Sequence, residues 1–344
     1  MNHRLLSAAA LALALVACGG GDDEHDASPA EPSTPTNAGL QLSVPAPTYA
    51  ALSEELQAFT VLNDIRSRCG HGKLAQHSAL DTAADGHARW LTYHGTFAHE
   101  QTPGSTHFTG KAPLDRMIAA GYLTNASQAA VSEQLAVYSG GADGNDLIGF
   151  GLHSTRTLLN APYHANGMLA GYRDVGIAIR NAVDAEAPDA TLPGAGRRAI
   201  VFNTGYQASA GSQSAAQDDN VVLTYPCDGE QNVARALHHE EPNPVPGRDL
   251  STSPLGTSIL LSLKEGRTLT IDSTVLTNVG TGATVPMRPP VTGANDHLGA
   301  FAAHQGYVAA DVPLAAYTAY RVSLTGRNNG VSFLKTFSFT TGAD

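Results

Sequence analysis

The stretch SALDTAADGHARWLTYHGTFAH at residues 78–99 decides the fold of the first half of the chain. Its apolar and small residues recur at spacings of three and four, which predicts an amphipathic helix over about residues 78–94. The buried stripe of this helix comprises Leu80, Ala83, Ala84, His87, Ala88 and Leu91. The small Ala side chains allow a neighbour to pack closely. His87 lies on this stripe, so we interpret it as a core histidine whose ring nitrogens are hydrogen-bonded.

Helical and then β-type patterns surround this stretch. A helix with Leu56, Phe59 and Leu62 on one face is predicted to end near Cys69-Gly70, and further helices are predicted at 113–120, 127–138 and 147–160. Val175, Ile177 and Ile179 alternate as in a strand, and residues 199–206 form a second β-rich run. Helices followed by a terminal hairpin indicate an α/β domain in which helices pack on a sheet.

Seven short motifs in this region, taken in order, resemble those of a bacterial CAP domain. They are Leu62-Asn63-xx-Arg66, Leu80-xx-Ala83-Ala84-xx-His87-Ala88, Phe97-Ala98-His99, Arg116-xxxx-Gly121-Tyr122, Ser132-Glu133-Gln134-Leu135-Ala136, Pro162-Tyr163-His164-Ala165-Asn166 and Asp174-Val175-Gly176-Ile177. CAP proteins include cysteine-rich secretory proteins, venom allergens and plant pathogenesis-related proteins. The resemblance implies an α-β-α sandwich over about residues 48–219.

The resemblance also implies a ligand site, because the central cleft of the family carries two histidines and two acidic residues that bind a divalent metal in several members. By motif, His99 and His164 take the two histidine positions, and Glu133 takes the glutamate position in Ser-Glu-Gln. The fourth, acidic position has no clear match. Two imidazoles and one carboxylate suit Zn²⁺ or another divalent cation. The same groups could instead bind a small ligand directly, act as acid and base, or only hydrogen-bond one another.

Residues 220–344 carry a different pattern, with short alternating runs separated by Gly, Asn and Pro turns. Strands are predicted at 258–263, 268–277, 306–310, 319–324 and 333–339, which favours an all-β sandwich. The segments at 225–229 and 337–342 resemble the opening and closing strands of bacterial immunoglobulin-like modules in cell-surface proteins. Such modules serve as spacers or interaction platforms.

The first residues indicate export. Met1 to Ala17 form a short basic start and an apolar run, which is typical of a signal peptide and too short to remain as a spanning helix. Leu15-Val16-Ala17-Cys18 resembles the bacterial lipobox, which implies a lipid anchor on Cys18. We expect residues 18–47, rich in Gly, Asp, Ser and Pro, to form a disordered tether.

Charge and cysteine content restrict the function further. The net charge of −11 argues against nucleic acid as a partner and against adhesion to anionic lipid, so the lipid anchor is the expected membrane contact. Apart from Cys18, only Cys69 and Cys227 are present, and two cysteines in an oxidising compartment predict one disulfide. A thiol nucleophile is the alternative, but neither cysteine begins a helix or belongs to a Cys-x-x-Cys motif.

These observations favour a lipid-anchored protein of the bacterial envelope, periplasmic or surface-exposed, that binds a protein, lipid or glycan. We assign no catalytic residue, since neither a Gly-x-Ser-x-Gly elbow nor a His-Glu-x-x-His motif is present in the sequence. One alternative is a metal-assisted or acid-base hydrolase acting on envelope polymers or peptides. A purely structural surface protein is the third hypothesis.

Overall fold

Helices cover both faces of a four-stranded sheet in the first half of the chain. The computed structural model describes residues 39–139, 149–190 and 196–343, which belong to one compact unit. Its first module contains α1 (Glu54–Arg68), β1 (Ala75–Gln76), α2 (Ser78–His94), α3 (Pro113–Ala119), β2 (Ala129–Ser139), α4 (Phe150–Asn160), α5 (Pro162–Leu169), β3 (Asp174–Asn181) and β4 (Arg197–Gln207). The strand order is β1-β3-β4-β2, so β2 is an edge strand.

The two faces of this sheet have separate hydrophobic cores. On one face, Ala84, Ala88 and Leu91 of α2 pack with Leu135 of β2 and Val201 of β4. On the other face, residues of α1, α4 and α5 pack against the sheet through side chains that include Phe59, Leu62, Leu159, Met168, Ile177 and Phe202. The predicted α-β-α sandwich is confirmed.

The helix predicted at 127–138 is wrong, because residues 129–139 form strand β2. This strand pairs with antiparallel β4 over its whole length, from Ala129 opposite Gln207 to Ser139 opposite Arg197. Its Ala, Glu, Gln and Leu residues favour a helix in isolation, but pairing with a neighbouring strand overrides that preference. The period of two places Glu133 on the same face of the sheet as Leu135, towards α2.

Two residues of the CAP-like motifs have clear structural roles. Arg66 is fully buried and donates hydrogen bonds to five carbonyl oxygens, those of Gly72, His71, Met168, Ala170 and Tyr172. It therefore ties the end of α1 to the end of α5, and burial lowers its pKa to about 9. At Gly176, a Cβ would lie 2.1 Å from backbone atoms of α2, so only glycine allows α2 to pack directly on β3.

The second module is a sandwich of two sheets. Its strands are β5 (Leu223–Tyr225), β6 (Glu230–Val233), β7 (Ser258–Ser262), β8 (Leu269–Asn278), β9 (Thr284–Val285), β10 (Val291–Thr292), β11 (Gln305–Ala309), β12 (Ala319–Asn328) and β13 (Val331–Thr341). One sheet has the order β10-β11-β7-β5 and the other β6-β13-β12-β8-β9. Ile259, Leu261 and Val308 of the first sheet pack against Val322 and Phe337 of the second. The predicted β-sandwich is confirmed.

The two modules share a hydrophobic core. In the second module, Leu260 of β7 and Tyr307 of β11 lie on the face of the β10-β11-β7-β5 sheet that is turned away from the sandwich core. Both residues belong to the hydrophobic cluster that contains α4 and α5 of the first module. Both faces of that sheet are therefore covered, which is why nearly every residue of β7 and β11 is buried. The predicted Cys69–Cys227 disulfide is confirmed, and it joins the end of α1 to the start of the second module.

The described part of the predicted tether packs on the first module. Gln41 donates from its backbone N–H to Gln213, and from its side chain to the carbonyl oxygens of Lys73 and Arg173. Residues 39–47 are thus attached to the domain that follows them. The predicted signal peptide, Cys18 and the rest of the tether lie outside the described residues. Among the residues that are described, no helix is long and apolar enough to cross a membrane.

Candidate functional site

Glu133 lies at the centre of a buried polar network on edge strand β2. Its side chain is about 1 % exposed, and both carboxylate oxygens accept hydrogen bonds from Nη2 of Arg116, at 2.8 and 2.7 Å. The Oε1 atom also lies 2.9 Å from Nδ1 of His99. Because the partner is a carboxylate, Nδ1 of His99 carries the proton and donates it.

Arg116 is held by the loop that carries His99. Its guanidinium donates to the backbone carbonyls of His99, Gly110 and Lys111 at 3.0 to 3.3 Å. Helix α3 presents this side chain, and the carboxylate of Asp115 accepts from the N–H of Ala112 at the start of the helix. The loop and the helix are therefore both fixed to Glu133 through one arginine.

The charges around Glu133 keep it ionised. Burial alone would raise the pKa of its carboxyl, but the hydrogen bond from His99 and the positive charge of Arg116 outweigh burial and lower that pKa. His87 approaches the same carboxylate at 3.6 Å. Burial lowers the pKa of His87 to about 4, so this histidine is neutral at pH 7.

His87 is a satisfied core histidine, as its place on the stripe of α2 predicts. Its Nε2 lies 2.9 Å from the carbonyl oxygen of Ala98, and its Nδ1 lies 3.1 Å from the amide nitrogen of Gln101. The first nitrogen therefore donates and the second accepts. His87 thus holds the loop on both sides of His99, through Ala98 and Gln101.

His164 has a different carboxylate partner, Glu240 of the second module. Nδ1 of His164 lies 3.2 Å from Oε1 of Glu240. The same oxygen accepts from the backbone N–H groups of Tyr163 and His164, at 2.7 and 3.2 Å, at the start of α5. Glu240 is 3 % exposed, and burial raises its pKa despite the hydrogen bonds from His164. The acidic partner of His164 therefore comes from the second module.

A cleft of about 440 Å³ opens beside this pair, between the two modules. We call it the junction cleft. Phe97, Leu135, Val137 and Leu158 of the first module line it, and His164 lies at its polar end. His239, Glu240 and Glu241 contribute the side formed by the second module. Strand β2 therefore carries two polar sites in succession, His99–Glu133 and then the junction cleft.

The three residues predicted to share a metal belong to two separate histidine–glutamate pairs, His99–Glu133 and His164–Glu240. Within the described residues, the only group of three His, Cys, Asp or Glu side chains with ligand atoms within 4.8 Å of one another is Cys69, Cys227 and Glu230. The two sulfurs of that group form the disulfide. Both oxygens of Glu133 already bind Arg116, whose charge also opposes a cation there. This geometry does not fit one ion held by His99, Glu133 and His164, and such a metal site stays a prediction.

Comparison with known proteins places the first module in a family. Residues 59–186 match the model of the cysteine-rich secretory protein family, CAP. The chain contains a CAP domain. A comparison with curated protein sequences gives no match. The CAP match includes His99, Glu133 and His164, but it ends before Glu240, so one member of the two histidine–glutamate pairs lies outside the CAP domain.

Sequence reasoning identified both histidines and Glu133 but missed their partners. Arg116 belongs to one of the CAP-like motifs, but the motif alone does not show that its guanidinium contacts Glu133. Glu240 occurs in His238-His239-Glu240-Glu241, just before a Pro-rich stretch. The adjacent acids Glu240 and Glu241 were the one feature of the sequence that could have drawn attention to this segment. Only the packing of the two modules shows that Glu240 is the partner of His164.

Proposed function

We propose that this chain is an extracytoplasmic binding protein, anchored through lipid on Cys18, whose CAP domain takes a small ligand at His99. The CAP domain supports an extracellular binding or interaction role. The Cys69–Cys227 disulfide supports an oxidising compartment, where such bonds persist. The lipobox-like residues 15–18 support the anchor.

The exposure of His99 carries this proposal. Its side chain is 44 % exposed, whereas the Glu133 and Arg116 side chains that hold it are almost fully buried. The hydrogen bond from Nδ1 fixes the tautomer, so Nε2 is left as an acceptor with no hydrogen bond to any described residue. A rigid, buried support beneath an accessible imidazole is the arrangement that a ligand site requires.

The test is a panel of envelope-derived peptides and glycans, measured with the full chain for both binding and turnover. We expect His99→Ala to abolish a binding signal that wild type shows. His107→Ala serves as the matched control, since His107 is a partly exposed histidine on the same domain that contacts only Tyr93 among ring partners. Equal binding by wild type and His99→Ala would refute the site.

The same panel decides between binding and hydrolysis. An imidazole oriented by a carboxylate can also serve as a general base, so product formation that His99→Ala abolishes would favour the hydrolase hypothesis. Binding without turnover would favour the binding protein. If neither binding nor turnover occurs, the surviving hypothesis is a structural surface protein.

The anchor needs its own experiment. Cys18→Ser should release the protein from the membrane fraction or leave it unprocessed, and intact mass should show acyl groups on wild type only. A variant that fractionates like wild type, with no acyl mass on either protein, would contradict the lipid anchor. We further propose that the second module is a bacterial immunoglobulin-like spacer, which its sandwich of two sheets supports.

A further inference from the structure

The junction cleft has the size and lining of a site for a small molecule. Its volume of about 440 Å³ lies within the usual range for ligand pockets. Phe97, Leu135, Val137 and Leu158 make most of its wall apolar, and Phe97 is 38 % exposed. An apolar body of a few carbon atoms could therefore replace water against this wall.

The polar end of the junction cleft offers acceptors. Nδ1 of His164 donates to Glu240, which makes Nε2 the acceptor nitrogen of that ring. Oε2 of Glu240 is buried and has no hydrogen-bond partner among the residues that the structure describes. A carboxylate accepts several hydrogen bonds, and buried polar atoms are rarely left without one. The His164–Glu240 pair can therefore accept further hydrogen bonds, at Nε2 of His164 and at Oε2 of Glu240.

The charge of the junction cleft selects the kind of donor. None of the described residues that line it is Lys or Arg, while Glu240 and Glu241 both contribute to it. At the neighbouring site Arg116 neutralises Glu133, but no arginine in the described part of the chain takes that role for Glu240. A cationic donor would gain from both glutamates, and an anion would be repelled.

We propose that the junction cleft binds a small organic ammonium ion, a primary amine with an apolar body. Its ammonium group donates to the His164–Glu240 pair, and its hydrocarbon lies against Phe97, Leu135 and Leu158. The inference goes beyond the proposed function, because it assigns a ligand to residues of both modules and stands whether or not His99 has a ligand.

The experiment compares three probes of equal length on the full chain, by isothermal titration calorimetry. We expect n-hexylamine to bind, hexan-1-ol to bind at least about tenfold more weakly and hexanoate not to bind, since only the amine is cationic. The proposal is overturned if hexylamine does not bind, or if hexanol binds as well as hexylamine does.

Variants then locate the site. We expect Glu240→Gln to weaken hexylamine binding at least about tenfold, because the amide removes the charge while keeping the shape. Glu186→Gln is the matched control, since the side chain of Glu186 is 80 % exposed on the CAP domain surface. Unchanged affinity in Glu240→Gln would overturn the proposal.

A second variant covers the case in which Glu240→Gln does not fold. Val137→Phe fills the junction cleft from the β2 wall and leaves both members of the His164–Glu240 pair in place. We expect it to abolish hexylamine binding while the thermal unfolding midpoint stays close to that of wild type. Hexylamine that binds Val137→Phe as it binds wild type would place the amine elsewhere and overturn the assignment.

Discussion

His99 and His164 make the same hydrogen bond in different electrostatic surroundings. Each donates from Nδ1 to a buried glutamate, Glu133 in one case and Glu240 in the other. Arg116 contacts both oxygens of Glu133, and the pKa of that carboxyl is lowered. For Glu240, burial prevails and the pKa is raised. His99, His87 and Arg116 together outweigh the burial of Glu133, whereas the partners of Glu240 do not outweigh its burial. Only Glu240 therefore carries a cost of burial that a ligand could recover.

Breaking the first pair should have the largest effect. Glu133→Gln leaves Arg116 charged and buried without its counterion, so we expect a loss of about 3–5 kcal/mol in the free energy of unfolding. Denaturant titration measures the loss. The double variant Glu133→Gln/Arg116→Met is the control, since removing both charges should restore part of that stability. If the double variant is less stable than the single one, the charge explanation is wrong.

Removing the Cys69–Cys227 disulfide should disturb the His164–Glu240 pair more than the His99–Glu133 pair. Replacing both Cys69 and Cys227 by Ala should cost about 2–4 kcal/mol, because the unfolded chain is no longer constrained. Hydrogen exchange should accelerate at the amides of Tyr163 and His164, which donate to Glu240 across the junction. Exchange in β4 beside Glu133 should change less. Equal acceleration at both places would show that the junction is not a separate point of weakness.

Replacing Glu240 should have a smaller effect on stability than replacing Glu133. In Glu240→Gln the amide oxygen can still accept from the start of α5, and no buried arginine loses a partner. We expect a change of about 1 kcal/mol or less in the free energy of unfolding. Glu241→Gln, an exposed neighbour, provides the baseline. A loss as large as that of Glu133→Gln would mean that the two pairs are equivalent after all.

The pH dependence should have opposite signs in the two glutamine variants. The folded pKa of Glu133 is below its ordinary value of 4.5, so its contribution is present above that pH and is lost as the pH falls. The folded pKa of Glu240 is above 4.5, so its contribution is greatest below that pH and declines as the pH rises. His99, His87 and His164, which face these carboxyls, are retained in both variants.

Unfolding curves between about pH 3 and pH 7 test this difference. Relative to wild type, Glu133→Gln should lose more stability at pH 7 than at pH 3. Glu240→Gln should lose less at pH 7 than at pH 3. Parallel curves for the two variants would contradict the opposite shifts.

The sequence predicted what depends on local pattern and missed what depends on contacts between modules. Helix α2 and the β-sandwich follow from periodicity, and the disulfide follows from two remaining cysteines. Strand β2 was predicted as a helix, since its composition favours one and only pairing with β4 makes it a strand. Glu240 could not be assigned to His164, because the residues are 76 positions apart and no periodic pattern connects them.

The β10-β11-β7-β5 sheet, which is covered on both faces, has a consequence for biosynthesis. The chain is made from its amino end, so α4 and α5 exist before the strands that cover them. Their apolar face stays open until β7 and β11 have been made, the latter ending at Ala309. The hydrophobic core that contains α4 and α5 is therefore complete only after the second module has been made. A nascent chain that ends after β4 but before β7 would expose the apolar residues of α4 and α5 that the second module covers.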